Sequence, residues 1–137
     1  MTSRFEDILA WQKAYSFVLA VYKTANTFPE CERFGLCSQF KRAAVSIPAN
    51  IAEGYKKLSK ADKLRFYNIA QGSLEECRCY VHLSKDLEYI DDVAYGNLSS
   101  LLEDTSRLLN AYCKGVINNG YNKESNKTID FNYSNYF

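Results

Sequence analysis

Hydrophobic positions along the chain recur at helical spacing. Ile8, Trp11, Tyr15, Val18, Tyr22 and Ala25 step by three and four residues, which predicts the seam of an amphipathic helix. Thr27-Phe28-Pro29 ends that helix, because proline cannot donate a backbone hydrogen bond and pushes the preceding residue out of helical geometry. Leu36, Phe40, Ala43, Ala44, Ile47 and Ile51 give a second helix its apolar face up to about Gly54. Ser59 followed by Asp62 resembles a capping box with Asp in the place of the commoner Glu or Gln, and opens a third helix. Its core positions are Tyr67, Ala70, Leu74, Cys77, Val81 and Ser84. The pattern stops near Tyr89, where Asp91 or Asp92 can cap a fourth helix whose inward positions are Ala94, Leu98, Leu101, Thr105, Leu108 and Tyr112. Two prolines and six glycines are too few to turn a β protein. The expectation is an all-α, antiparallel up-down four-helix bundle over residues 1–117. From Asn118 the composition shifts to Asn, Ser, Lys and Tyr without helical periodicity, so residues 118–137 are expected to form a mobile tail. The alternation in Ile129-Asp130-Phe131-Asn132-Tyr133 would also suit a docking strand.

The predicted helices carry more than one core face. The first has a second apolar line, Ala10, Ala14, Phe17 and Val21, and the third adds Phe66, Ile69, Tyr80, Leu83 and Leu87 to its core stripe. A helix of a lone bundle needs only about a 100° stripe, so the extra width is expected to be an oligomer interface, formed by Ala10, Ala14, Phe17, Val21, Phe66, Ile69 and Tyr80. The second helix also has a polar line, Gln39, Arg42, Ser46, Asn50 and Glu53, and the third has Asn68, Gln71, Glu75, Arg78 and His82. Polar residues beside a seam either face water or form a hydrogen-bonded network that fixes register. Pro48 removes the N–H that would bond the Ala44 carbonyl, so the second helix is expected to kink or restart there, with Ser46 or Asn50 helping to satisfy the break.

Composition adds constraints on function. The 137 residues suit one domain, with 17 basic and 16 acidic side chains, so net charge argues for no particular partner. Distribution is more informative. Residues 31–65 carry a net of +5 and residues 86–104 a net of −6, which predicts a basic and an acidic pole. The candidate phosphate contacts are Lys41, Arg42, Lys56, Lys57, Lys60, Lys63 and Arg65. No apolar run reaches the ~20 residues that span a bilayer and Arg4, Glu6 and Asp7 stand near the start, so a cytoplasmic protein without a signal peptide or membrane partner is expected. Five cysteines form no CxxC pair, and Cys79 with His82 lacks further ligands, so neither a metal site nor any other cofactor is expected.

The stretch Arg42-Ala-Ala-Val-Ser46-Ile-Pro48-Ala-Asn50-Ile-Ala-Glu53-Gly54 resembles the signature of the 23S rRNA intervening-sequence four-helix-bundle proteins. Leu36-Cys-Ser-Gln39, Phe5-Glu-Asp-Ile-Leu-Ala-Trp11, Arg65-Phe66 and Ile69-Ala-Gln-Gly-Ser-Leu-Glu75 fit the same pattern, so that the resemblance covers about residues 5–116. It implies a bacterial up-down bundle that assembles as a homopentamer. More distantly, the chain is similar to the accessory protein of diversity-generating retroelements, a basic pentameric bundle that binds nucleic acid and a reverse transcriptase.

Catalytic constellations are scarce. His82 is the single histidine, no glycine-rich phosphate loop occurs, and the residue three before His82 is Cys79 where a di-iron bundle requires Glu. Glu53 and Glu75 are left as the one conceivable acid pair. The sequence therefore predicts a non-enzymatic, oligomeric bundle that binds RNA or DNA through its basic pole. The alternative is a protein-interaction scaffold, for a partner such as a reverse transcriptase, with no direct nucleic-acid role.

Overall fold

The structure, a computed structural model, describes residues 4–123, and of 120–123 only the helical backbone. A 3-10 turn at Phe5–Asp7 leads into α1 (Leu9–Ala25), and a second at Glu30–Glu32 leads into α2 (Leu36–Lys56). Short connections then join α2 to α3 (Lys60–Asp86) and α3 to α4 (Asp92–Lys123). Each helix packs against its neighbour in sequence, and α1 closes the ring against α4. The directions alternate. Lys60 at the start of α3 donates to the Ile117 carbonyl late in α4, while Tyr89 between α3 and α4 donates to Glu32 between α1 and α2 at 2.8 Å. Among the described residues the fold is thus all-α and up-down. The helix of α4 extends to Lys123, past the boundary expected near Asn118, and the segment Ile129 to Tyr133 lies outside the described residues.

The core follows the predicted faces of α2 and α3, whose named apolar positions are all buried, with Leu64 added. Burying a side chain such as Phe40, Ile47 or Leu74 contributes about 1.5–3 kcal/mol each. The two lines of α1 exchange roles. Ala10, Ala14, Phe17 and Val21, expected at an oligomer interface, are interior residues of a single chain, with Phe17 0% exposed. The middle of the expected seam faces outward instead, with Tyr15 and Tyr22 exposed and Trp11 and Val18 half-buried, while its end residues Ile8 and Ala25 are buried as expected. The reason is chemical. Ala10 and Ala14 let neighbouring helices approach closely and the inner line carries no polar side-chain atom, whereas Trp11, Tyr15 and Tyr22 each carry a donor that water satisfies. Tyr80, also expected at the interface, packs against Phe40 of the same chain with ring centroids 5.8 Å apart, and Phe66 is half-buried while Ile69 is exposed.

In α4 the buried positions are Leu98, Leu102, Thr105, Leu109 and Cys113, one residue later than expected at three places, with Leu101, Leu108 and Tyr112 half-buried. α2 runs through Pro48 without restarting. The Asn50 side-chain amide spans the weakened turn, donating to the Ser46 carbonyl at 2.8 Å and to the Ser46 hydroxyl at 3.0 Å. Gly54 is where α2 and α3 approach most closely: a Cβ there would sit 2.6 Å from Cε1 of the buried Tyr67.

Candidate nucleic-acid interface

Most of the predicted polar line ties helices together. Ser73 donates to Ser46 at 2.8 Å, joining α3 to the Ser46–Asn50 pair of α2. Arg42 bonds Gln39 and Glu76, and Glu76 also accepts from Tyr80, whose phenol is pushed above its ordinary pKa chiefly by that hydrogen bond. Between α3 and α4, Gln71 donates to Asn110 at 2.7 Å, and Arg78 bonds both Glu75 and Glu103. The cross-helix partners Ser73, Glu76, Asn110 and Glu103 were not singled out as network members by the sequence pattern, because nothing in linear spacing pairs α3 with α4. Among the described residues Glu53 and Asn68 enter no such bond. Glu53 lies near the end of α2, and Glu75 is engaged by Arg78 at 3.1 Å.

The seven candidate phosphate contacts separate into two groups. Lys41 and Arg42 stand about 22 Å along α2 from Lys56, at 1.5 Å per residue. Lys41 lies over the Tyr22 ring, 5.0 Å from its centroid, and Arg42 is held by Glu76. A window of residues 31–65 spans the whole of α2 and therefore both ends of the bundle, so its summed charge is not one pole. The other five cluster where α2 passes into α3, and two of these are occupied by the fold. Lys63 donates to the Tyr55 carbonyl at 2.6 Å, capping the end of α2, and burial lowers its pKa. Lys60 donates to the Ile117 carbonyl at 2.7 Å.

Lys56, Lys57 and Arg65 remain. Lys56 and Lys57 are exposed and make no ion pair among the described residues; Arg65 is 3.7 Å from Asp62, a surface pair worth little in water. The connection is held open by local chemistry: Lys57 is extended at φ −67° and ψ 146°, and the Ser59 hydroxyl accepts from the Asp62 N–H at 3.1 Å to start α3. Arg4 joins this end from the chain start. With Phe5, Glu6, Ala52, Glu53, Tyr55 and Lys56 it lines a cleft of about 510 Å³. Charge counting over residues 31–65 missed Arg4 because it lies outside the window.

The opposite end is acidic and the fold uses part of its charge. Lys85 pairs with Asp92, holding that carboxyl below the ordinary aspartate range, and Asp91 accepts from the Ala94 N–H at 2.8 Å to cap α4. Glu88 closes α3 in left-handed geometry at φ 62°, with Tyr89 N–H donating to the Ser84 carbonyl at 2.9 Å. His82 is exposed, its Nδ1 3.5 Å from the Tyr95 hydroxyl. Burial pushes the thiols of Cys77 and Cys113 up to about 12, which leaves them protonated and inert. Among the described residues no three His, Cys, Asp or Glu side chains converge as a metal ion would need, and no helix is long and apolar enough to cross a membrane.

Residues 6–111 match the model of a family described as 23S rRNA-intervening sequence protein. The chain is also similar to a crystal structure of a protein of unknown function from the S23 ribosomal protein family of Bacteroides thetaiotaomicron VPI-5482. Identity is 25%, the match covers 77% of this chain and 99% of that one, and the TM-score is 0.72. No curated protein matches the chain.

Proposed function

The chain belongs to the 23S rRNA-intervening sequence protein family, and from that premise we propose a non-enzymatic, cytoplasmic, ring-forming bundle whose basic end binds RNA or DNA. The observation that carries the reading is that Lys56 and Lys57 are exposed without a carboxylate partner, while the neighbouring Lys60 and Lys63 and cations such as Arg42 and Lys85 elsewhere on the bundle are engaged. Unpaired cations release counterions from a phosphate backbone at no cost in broken ion pairs. One copy offers a small field. Several copies in a ring would present the same end repeatedly, and phosphate contacts add.

Assembly draws support from the outward face of α1, where Leu9 is 60% and Leu19 56% exposed beside Tyr15 and Tyr22. Ile69, Leu83 and Leu87 add exposed apolar area on α3. These exposed apolar residues lie on two helices that sit across the bundle from each other, and apolar area of this kind suits a surface that another chain covers. Five copies is the number implied by the resemblance. The same exposed residues support the second reading, a scaffold that engages a different protein and touches no nucleic acid.

Titrating labelled RNA and DNA against the wild type and a Lys56→Glu/Lys57→Glu variant separates the two. Binding that the double reversal abolishes supports the basic end. Absent binding, or binding the reversal leaves unaltered, rejects it and favours the scaffold.

A further inference from the structure

At the basic end two of the available cations, Lys57 and Arg65, lie over an aromatic ring. Lys57 Nζ and the Arg65 guanidinium carbon each lie 4.9 Å from the centroid of the half-buried Phe66. Beside them Leu58, at the tip of the connection, is 101% exposed. A duplex needs only charges at phosphate spacing, since its bases are already stacked and paired. An aromatic face set among mobile cations offers a single strand something a duplex cannot use: a platform for an unpaired base, with phosphates held on either side.

We infer that Phe66 is a stacking platform for an unpaired base, with Lys57 and Arg65 contacting the flanking phosphates, so that the basic end prefers single-stranded over duplex nucleic acid. This rests on the nucleic-acid reading above and deepens it. The ring is poised for the exchange. It is covered by two flexible side chains, of which Lys57 has no ion pair among the described residues and Arg65 only a surface one. A base that displaces Lys57 from the ring keeps its charge nearby, and the planar Arg65 side chain can stack on the same base.

The test is fluorescence anisotropy at one fixed salt concentration, with labelled 12-nucleotide single strands of RNA and of DNA and the duplex of each. The proteins are wild type, Phe66→Leu, Phe66→Trp and Lys56→Glu/Lys57→Glu, each checked for native unfolding behaviour. Wild type should bind both single strands more tightly than either duplex. Phe66→Leu keeps an apolar side chain in place and should weaken single-strand binding about tenfold, RNA and DNA alike, while leaving the weaker duplex binding unchanged. Phe66→Trp should retain binding and show indole quenching on adding a single strand, a signature that mere packing at this position would not give. A duplex preference, or single-strand affinity unmoved by Phe66→Leu with no quenching in Phe66→Trp, overturns the stacking proposal while charge reversal still reports on the basic end. No binding of any probe by the wild type would instead remove the nucleic-acid reading and this proposal with it.

Discussion

The two ends of the bundle are built from similar numbers of charges and use them differently. At the α3–α4 end several charges serve the fold, with Asp91 capping α4, Asp92 holding Lys85 and Glu32 accepting from Tyr89, while Asp86 and Glu88 stay exposed. At the α2–α3 end the cap is the neutral Ser59, and only Lys60 and Lys63 serve the fold, which leaves Lys56, Lys57 and Arg65 for solvent or a ligand. The difference teaches that availability, rather than the count of like charges, distinguishes a candidate site from a solvated helix end. Substitutions at the first end should therefore alter stability, and charge substitutions at the second should alter binding.

The largest effect should come from a pair of glycines. Gly54→Ala places a Cβ against the ring of Tyr67, a buried group that cannot swing aside, and should destabilise the chain by about 1–3 kcal/mol in urea unfolding. Gly96→Ala, in α4 at the acidic end, meets nothing within 4 Å and should stabilise by up to about 1 kcal/mol through helix propensity. Equal effects at the two positions would contradict the tight α2–α3 contact. Next, Asp91→Ala removes the cap on α4 and should cost about 1 kcal/mol by the same measurement. Glu88→Gly should move stability the other way by about 0.5–1 kcal/mol, because glycine occupies the φ 62° position without Cβ strain. The smallest change in stability, within about 0.5 kcal/mol, should belong to Lys56→Glu/Lys57→Glu. A large loss there would mean that these lysines hold the fold together, and the contrast between the ends would collapse.

Much of the fold was legible from spacing because α2 and α3 each have a core stripe set off by a polar line. Leu36 to Ile51 and Tyr67 to Ser84 fall inside as their periodicity requires. α1 was not legible in the same way. Both of its lines are apolar at helical spacing, so periodicity alone cannot rank them; the discriminating signal is that Ala10, Ala14, Phe17 and Val21 lack the polar atoms that Trp11, Tyr15 and Tyr22 carry. In α4 the adjacent pairs Leu101-Leu102 and Leu108-Leu109 offer two registers about 100° apart, and packing against α1 and α3 selects Leu102 and Leu109.

The candidate site was legible in its residue types and less so in its geometry. Lys56 and Lys57 are named by local charge, but the proximity of Lys57 to Phe66 requires the chain to double back between α2 and α3, and Arg4 arrives beside Lys56 from the chain start. Lys41 and Arg42 are close to Lys56 in sequence, but the 1.5 Å rise per residue of α2 sets them at the other end of that helix. Lys60 and Lys63 looked free because a lysine donating to a carbonyl on another turn or helix leaves no trace in sequence spacing.

The most direct measurement of whether the basic end is a phosphate site is the salt dependence of single-stranded RNA binding by the full chain. With Lys56, Lys57 and Arg65 each neutralising one phosphate, the logarithm of affinity should fall linearly with the logarithm of salt concentration, with a slope of about −2 per copy engaged. Lys56→Glu/Lys57→Glu should flatten the slope and remove most of the binding. Affinity that is absent, or that does not change with salt, would contradict the assignment of this end to nucleic acid.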